Sequence, residues 1–404
     1  MVSPLRRWLN ISLFNLLIVA LLGTALRYKI AFSFPFIDQK HVMHAHSHFA
    51  FAGWITMALM AMLVGYLSNE HGISIFKKYR WILYANLLTA YGMLLSFPFE
   101  GYGPISISFE TLSLFANYIF VFQYWQDLNK LKNKDVSHYW FKAALVFNVI
   151  SSLGTYSLAF MMSTHNMHQE FYLASVYFFL HFQYNGWFFF VCMGLLTTSS
   201  LVKIISPATL KKIFWLFFLA CIPAFFLSAL WMKMPIWVYI LVVLSAFAQL
   251  AGWIWLIKLL KPQLAFIKST FSLFARRILL LSAIALTLKL LLQLGSTIPS
   301  LSTLAFGFRP IVIGYLHLVL LGVITLFMLG YIVTNNFIKI NKQAIWGIVI
   351  FIIGVIINEI FLMLQGAAGM DYISIPYINE SLFVTACILF TGMLLVNLSQ
   401  LSKK

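Results

Sequence analysis

The chain has 404 residues, 62% hydrophobic and only 9% charged, with a mean hydropathy of +0.92. That is too little polar side chain to cover a water-soluble domain, which excludes soluble enzymes and binding modules and leaves an integral membrane protein. The net charge of +17 raises nucleic acid as a partner, but the placement of the charge argues against it.

Apolar runs of about 20 residues, each long enough to cross a roughly 30 Å hydrocarbon core, fall near 8–28, 46–68, 79–98, 106–126, 140–162 and 171–200. Six more follow near 212–231, 236–259, 277–297, 310–334, 343–365 and 381–400. They predict an all-α polytopic protein of twelve transmembrane helices, a single integral membrane domain over 1–404. The first run has no small-residue cleavage site and is followed by Arg27-Tyr28-Lys29, so it is expected to be a retained helix and not a signal peptide. With the N-terminus inside, most basic residues fall in inside segments, among them Arg6, Arg7, Lys77, Lys78, Arg80, Lys130, Lys203, Lys211, Lys212, Lys403 and Lys404. This follows the positive-inside rule and places both termini in the cytoplasm, with a bacterial inner membrane as the expected location. The basic excess then reports topology and contact with anionic lipid, and no nucleic-acid partner is expected.

In chain order, the first predicted helix ends outside at Arg27 and Lys29, and Asp38 and Lys40 follow in the loop. These bases break the trend. They read either as side chains snorkelling to the interface or as partners for buried acid groups such as haem propionates. The second predicted helix opens with "HAHSHFAFAGW", His44 to Trp54. Four residues apart, His44 and His48 share a face, while His46 points roughly the other way. His48 leads a histidine-to-glycine pattern of five residues, ending at Gly53, that returns as His181 to Gly186 and His317 to Gly322. From 48 to 181 is 133 residues and from 181 to 317 is 136, each close to a third of 404. The spacing suggests a pseudo-threefold repeat over approximately 1–135, 136–270 and 271–404.

Glu100 is expected just outside the third and fourth helices, and Glu110 within the outer end of the fourth, as part of a proton route or as a hydrogen-bonded structural acid. After the fifth helix come Met161, Met162, His165, Met167, His168 and Glu170. Thioether and imidazole together suit copper, and a mixed surface loop is the alternative. The sixth helix carries His181 about ten residues into the membrane, beside Gln183, Tyr184 and Asn185. It reads as a ligand or active-site residue, or as an interhelical hydrogen-bond donor. The seventh has only Cys221 and Pro223 in its interior, the ninth carries Lys289 and Gln293, and Arg309 and Pro310 start the tenth two turns before His317. The eleventh holds Asn358 and Glu359. Cys192, Cys221 and Cys387 each sit in an apolar run, so no disulfide framework or CxxC metal site is expected. In an α-helix each repeat glycine lies about 140° around from its histidine, which suits helix approach better than ligation.

Neutral imidazoles on facing helices are natural axial ligands for haem. Twelve helices in three four-helix arcs, with histidines on the second, sixth and tenth, resemble subunit I of the haem-copper oxidase superfamily. "HSHFAFAG" and "LHLVLLG" are similar to the haem-holding segments of its nitric oxide reductase branch, and "FFLHFQYNGWF" resembles that branch's segment around a non-haem metal histidine. The "HAH" opening also resembles the NnrS-type membrane proteins linked to nitric oxide stress. The resemblance implies one b-type haem on His48 and His317, with His44 as a second candidate and His181 as a third metal-site histidine. It also implies propionate contacts from Arg27, Lys29, Lys40 or Arg309, a pocket lined by His181 and Tyr184, and proton movement through Glu110, Lys289 or Glu359. A cytochrome c-type or quinol electron donor, small partner subunits and a small gas, nitric oxide or oxygen, would be the partners.

The departures are specific. The family's enzymes carry a histidine pair on helix 7 and two histidines on helix 10, whereas this chain has none on the seventh and only His317 on the tenth. Asn185 stands where nitric oxide reductases place a metal-binding glutamate. The second site, copper or non-haem iron, is therefore incomplete for an oxidoreductase of that kind. A different class fits some residues. A transporter or copper-handling permease would use the 161–170 loop and the 41–48 cluster outside, with Lys289 and Glu359 in the membrane.

Overall fold

The computed structural model describes residues 3–166, 168–198, 205–301 and 308–401. Met167, Lys203, Lys403 and Lys404 lie outside the described residues, as does 302–307 in the connection before Arg309. Among the described residues every regular element is a helix. In chain order these are α1 (Pro4–Phe32), α2 (Gln39–Phe49), α3 (Met57–His71), α4 (Ile75–Glu100), α5 (Pro104–Lys130), α6 (Ser137–Ser163), α7 (Gln169–His181) and α8 (Phe189–Thr198). They continue with α9 (Pro207–Cys221), α10 (Ile236–Leu260), α11 (Leu264–Thr270), α12 (Leu273–Gly295), α13 (Arg309–His317), α14 (Leu326–Thr334), α15 (Lys342–Met370) and α16 (Ile378–Leu401).

The starts are set by local chemistry. Ser3, Asp38, Ser206, Ser272 and Asn341 each accept a hydrogen bond from a backbone N–H three residues on, satisfying a donor that the first helical turn leaves open. Pro4 and Pro207 occupy first-turn positions, where a missing N–H does no harm.

Among the described residues ten helices are long and apolar enough to cross a membrane, and an eleventh is added if α9 and the 3₁₀ helix Pro223–Ala229, bent by 45°, form one span. The sequence predicts an unbroken helix over 212–231. The break comes at Pro223, which cannot donate to the turn before it. The predicted span near 171–200 is helical from Gln169 to Thr198 but is not one of the ten, since His181, Gln183 and Asn185 at its centre dilute its apolar character.

The chain divides into two compact units. Unit 1 comprises 1–130 and 332–404, and unit 2 comprises 131–331. In unit 1, α15 and α16 pack so closely that a Cβ on Gly347 would stand 2.8 Å from Gly392 O, and one on Gly392 only 2.6 Å from Phe351 N. Small residues here permit backbone approach between apolar helices. α1 packs on α16, with Thr24 Oγ1 donating to Ala386 O at 3.1 Å and Asn397 Nδ2 to Leu13 O at 3.0 Å. At one end of α4 and α5, buried Asp127 accepts from Lys78 Nζ at 2.7 Å, Tyr79 Oη at 2.9 Å and Gln123 Nε2 at 3.2 Å. In unit 2, α6 lies along the α7–α8 run, α9 packs on α10, and α12 packs on α10 and on the segment after His317. An aromatic cluster of Trp140, Phe147, Phe190 and Phe214 fills the space between α6, α8 and α9.

Candidate functional site: three histidine-led π turns

The three histidine-to-glycine segments share a local geometry that α-helical periodicity does not anticipate. A π turn covers Ala50–Thr56 after His48, Phe182–Phe188 after His181 and Leu318–Thr325 after His317. Gly53, Gly186 and Gly322 each lie inside one. In a π turn the hydrogen bond closes on the residue five back instead of four. Residues five apart are thereby drawn towards one face, so the separation of about 140° expected for an α-helix overstates the angle between each histidine and its glycine.

A π turn leaves carbonyls off the regular ladder, and in all three cases buried side chains from neighbouring helices cap them. In unit 1, Asn86 Nδ2 donates to Ala52 O at 3.1 Å and Asn15 Nδ2 to Gly53 O at 2.6 Å, with Tyr91 Oη donating to Asn15 Oδ1 at 2.9 Å. In unit 2, Ser282 Oγ donates to Val323 O at 2.8 Å and the Cys221 thiol approaches Asn185 O at 3.8 Å. Ala52 and Asn185 occupy the same register, four residues after His48 and His181. Asn15, Asn86 and Ser282 carry none of the functional expectations drawn from the sequence. The available signal was a buried asparagine or serine in an otherwise apolar run.

The histidine face of unit 1 is built from α2, the end of α4 and the turn that follows. Asp38 caps α2 by accepting from His41 N at 2.8 Å, and that hydrogen bond holds its carboxyl below the usual carboxylate range. His44 and His48 lie on one side of α2, their ring centroids 6.5 Å apart. His48 stacks on Phe97 at 4.6 Å, and His44 meets Tyr102 edge-on at 4.6 Å. His48 Nε2 and Tyr102 Oη are 3.1 Å apart, whereas His44 Nε2 is buried with no hydrogen-bond partner. His41 packs against Gly101, where φ is +59° and a Cβ would stand 2.6 Å from the imidazole, so only glycine fits. His46 turns the other way and pairs Nδ1 with Val19 O of α1 at 3.1 Å.

Unit 2 uses its histidines differently. His317 Nδ1 donates to Ile313 O one turn back, at 2.8 Å. This fixes the tautomer with the lone pair on Nε2, the arrangement that second-shell carbonyls impose on metal-ligating imidazoles. His181 is fully buried, with Nε2 2.8 Å from Cys221 O and Nδ1 3.1 Å from Asn185 Nδ2. Gln183 Nε2 donates to Asn148 Oδ1 at 3.0 Å and Ser151 Oγ at 2.8 Å on α6. The ring of Tyr184 lies 6.5 Å from that of His181 and 6.4 Å from that of Tyr315. Lys289, buried on α12, points its Nζ at the face of Phe189, 6.0 Å from the ring centroid.

The remaining candidates are dispersed. In unit 1, Arg27 is half-buried on α1, Lys29 Nζ donates to Phe34 O at 2.7 Å, and Lys40 is exposed. Glu100 accepts from Ser106 N at the start of α5, Glu110 is half-buried on α5, and Glu359 accepts from its neighbour Asn358 at 3.2 Å. In unit 2, Arg309 is exposed at the start of α13, and His165, His168 and Glu170 are exposed around the start of α7. Among the described residues no group of three or more His, Cys, Asp or Glu side chains converges on a point that could hold a metal ion. An imidazole that ligates haem needs no such cluster, and the donor chemistry of His44 within unit 1 and that of His317 within unit 2 each suit such a ligand. The chain matches no family model and no curated protein.

Proposed function

We propose that the chain is an integral membrane haem protein that handles electrons or a small gas, nitric oxide or oxygen. Its plan is that of the haem-copper oxidase subunit I superfamily or the NnrS-type proteins, with twelve spans in three arcs in a bacterial inner membrane and both termini cytoplasmic. The observation that carries this reading is the recurrence of a π turn at the same register after His48, His181 and His317. π turns that interrupt α-helices are frequent at functional sites, and three at one register favour a threefold plan over chance likeness of short motifs.

On this reading His317 is the haem ligand of unit 2, because its Nδ1–H is engaged by a carbonyl and its Nε2 carries the lone pair. In unit 1 the ligand comes from the His44–His48 face, where His44 Nε2 is the nitrogen that is buried without a protein partner. A b-type haem would supply reversible one-electron chemistry and a place for a diatomic gas. The electron donor would be a cytochrome c-type protein or a quinol. A copper or non-haem iron centre is not part of the proposal, since the seventh span offers no histidine.

The test is a pyridine-haemochrome assay with metal analysis on the purified full-length protein. A Soret band that is lost or shifted in His317→Ala, and in His44→Ala or His48→Ala, is expected. Absence of haem, or a band unchanged by all three substitutions, overturns the reading.

A further inference from the structure

We propose that unit 2 holds a small monovalent anion of halide size beside Lys289. The inference goes beyond the haem reading and does not rest on it. Lys289 is 5% exposed and makes no hydrogen bond or ion pair with the described residues. An ammonium group withdrawn from water without a counter-charge is strongly disfavoured. Unit 2 has little with which to compensate it, since Asp135 and Glu170 are its only carboxylates. Asp135 is occupied by Ser137 and His138 ahead of α6, and Glu170 is exposed in the first turn of α7.

What faces Lys289 is a cavity of about 10 Å3, room for one water-sized particle, lined by Asn185, Cys221, Gln249 and phenylalanine rings that include Phe189. The two amides of the polar lining each present N–H donors beside their oxygen. Asn185 commits one amide hydrogen to His181 Nδ1 and keeps the other. Gln249 is 5% exposed with no hydrogen bond to the described residues, so both of its amide hydrogens remain. A carboxylate-free pocket that offers uncommitted amide N–H donors beside a buried cation suits an anion, and its size excludes sulfate, phosphate and carboxylate metabolites. Chloride, a single atom only slightly larger than a water molecule, is the abundant anion nearest to both conditions.

The experiment follows thermal unfolding of the full-length protein in detergent at constant ionic strength, exchanging gluconate, which is too large for the cavity, for chloride or bromide. A saturable rise in Tm of several degrees is expected for the wild type, because a ligand bound only by the folded state stabilises it. Lys289→Met is expected to lose that rise. Gln249→Glu builds a counter-charge into the same cavity, so its Tm in gluconate is expected to approach that of the halide-saturated wild type, with no further rise on adding halide. A wild type whose Tm is the same in halide and gluconate overturns the proposal and leaves a neutral amine with a single water as the occupant. A halide response in Lys289→Met equal to the wild type also overturns it. If Lys289→Met fails to fold, a full halide response in Gln249→Glu overturns it instead.

Discussion

His181 Nε2 lies 2.8 Å from the carbonyl oxygen of Cys221, the last residue of α9 before Pro223 breaks the helix. Beyond the break the chain tightens, with Phe225 N–H bonding Ile222 O at 3.2 Å, and the imidazole satisfies the carbonyl that precedes it. A carbonyl can only accept, so Nε2 carries the proton and Nδ1 is an acceptor. Asn185 must then present its amide nitrogen to Nδ1, as it does at 3.1 Å. One ring thus ties the helix break to the second π turn, and neither nitrogen is left with a lone pair for a metal.

Replacing His181 with Ala should therefore act on stability before it acts on any cofactor. The Cys221 carbonyl and the Asn185 amide would stay buried without partners, at about 1–3 kcal/mol for each unsatisfied group. Thermal unfolding should show a lowered Tm, while the haem content of the protein that remains folded should match the wild type. An unchanged Tm with lost haem would make His181 a ligand instead.

The helical class was legible because a span needs about 20 consecutive apolar residues, and no charge pattern competes with that signal. Sequence spacing also set His44 and His48 on one face and His46 on another, as they lie. The π turns were not legible. One extra residue per turn leaves no trace in a run such as "LVLLGVI", where no position carries a polar side chain whichever way it turns. The supports of these turns were hidden for a related reason, since Asn15, Asn86 and Ser282 come from distant helices and their targets are backbone carbonyls, which have no side-chain identity. The polar centre of 169–198 is visible in the sequence, but its partners, Cys221 O, Asn148 and Ser151, belong to tertiary structure.

Asn15→Leu should destabilise the protein by about 1–3 kcal/mol, because the Gly53 carbonyl and the Tyr91 hydroxyl lose their partner in a buried setting. Ser282→Ala removes a single bond to Val323 O and should lose about 1 kcal/mol. Thr391, exposed and bonded only to Cys387 O one turn back, is the control, and Thr391→Ala should stay within about 0.5 kcal/mol of wild type. Chemical or thermal unfolding of the three variants in one detergent checks the order. If Ser282→Ala and Asn15→Leu behave like Thr391→Ala, the caps do not support the π turns.

Two carboxylates outside the spans should make the fold sensitive to acid. Asp38 is held below its ordinary pKa chiefly by the His41 N–H. Burial pushes Asp135 upward, but hydrogen bonds from His138 and Ser137 together outweigh it and leave its pKa lowered. A folded pKa below the unfolded value of about 3.9 means a contribution that is whole above about pH 4 and lost as pH falls through the folded value. Tm should therefore fall as pH drops below about 4. Asp38→Asn keeps a side-chain oxygen for the cap and cannot titrate, so with Asp135→Asn it should flatten that part of the profile. A double variant with the wild-type acid profile would assign the sensitivity to other groups.

The glycines of the second and third π turns look equivalent in sequence and should not behave alike. A Cβ at Gly186 would lie 2.6 Å from Phe147 Cβ on α6, an atom fixed to its backbone, so the helices themselves would have to part. At Gly322 the nearest atoms are Ala285 Cβ at 3.1 Å and Leu318 Cδ1 at 3.4 Å, which a shift of a few tenths of an ångström relieves. Gly to Ala inside a helix gains about 0.8–1 kcal/mol of propensity, while overpacking loses about 1–3 kcal/mol. The balance puts Gly322→Ala near zero and makes Gly186→Ala destabilising by about 1–2 kcal/mol. Equal unfolding midpoints for the two variants would mean that α6 yields at Phe147, and that the close approach of α6 to the second π turn is not a constraint on the fold.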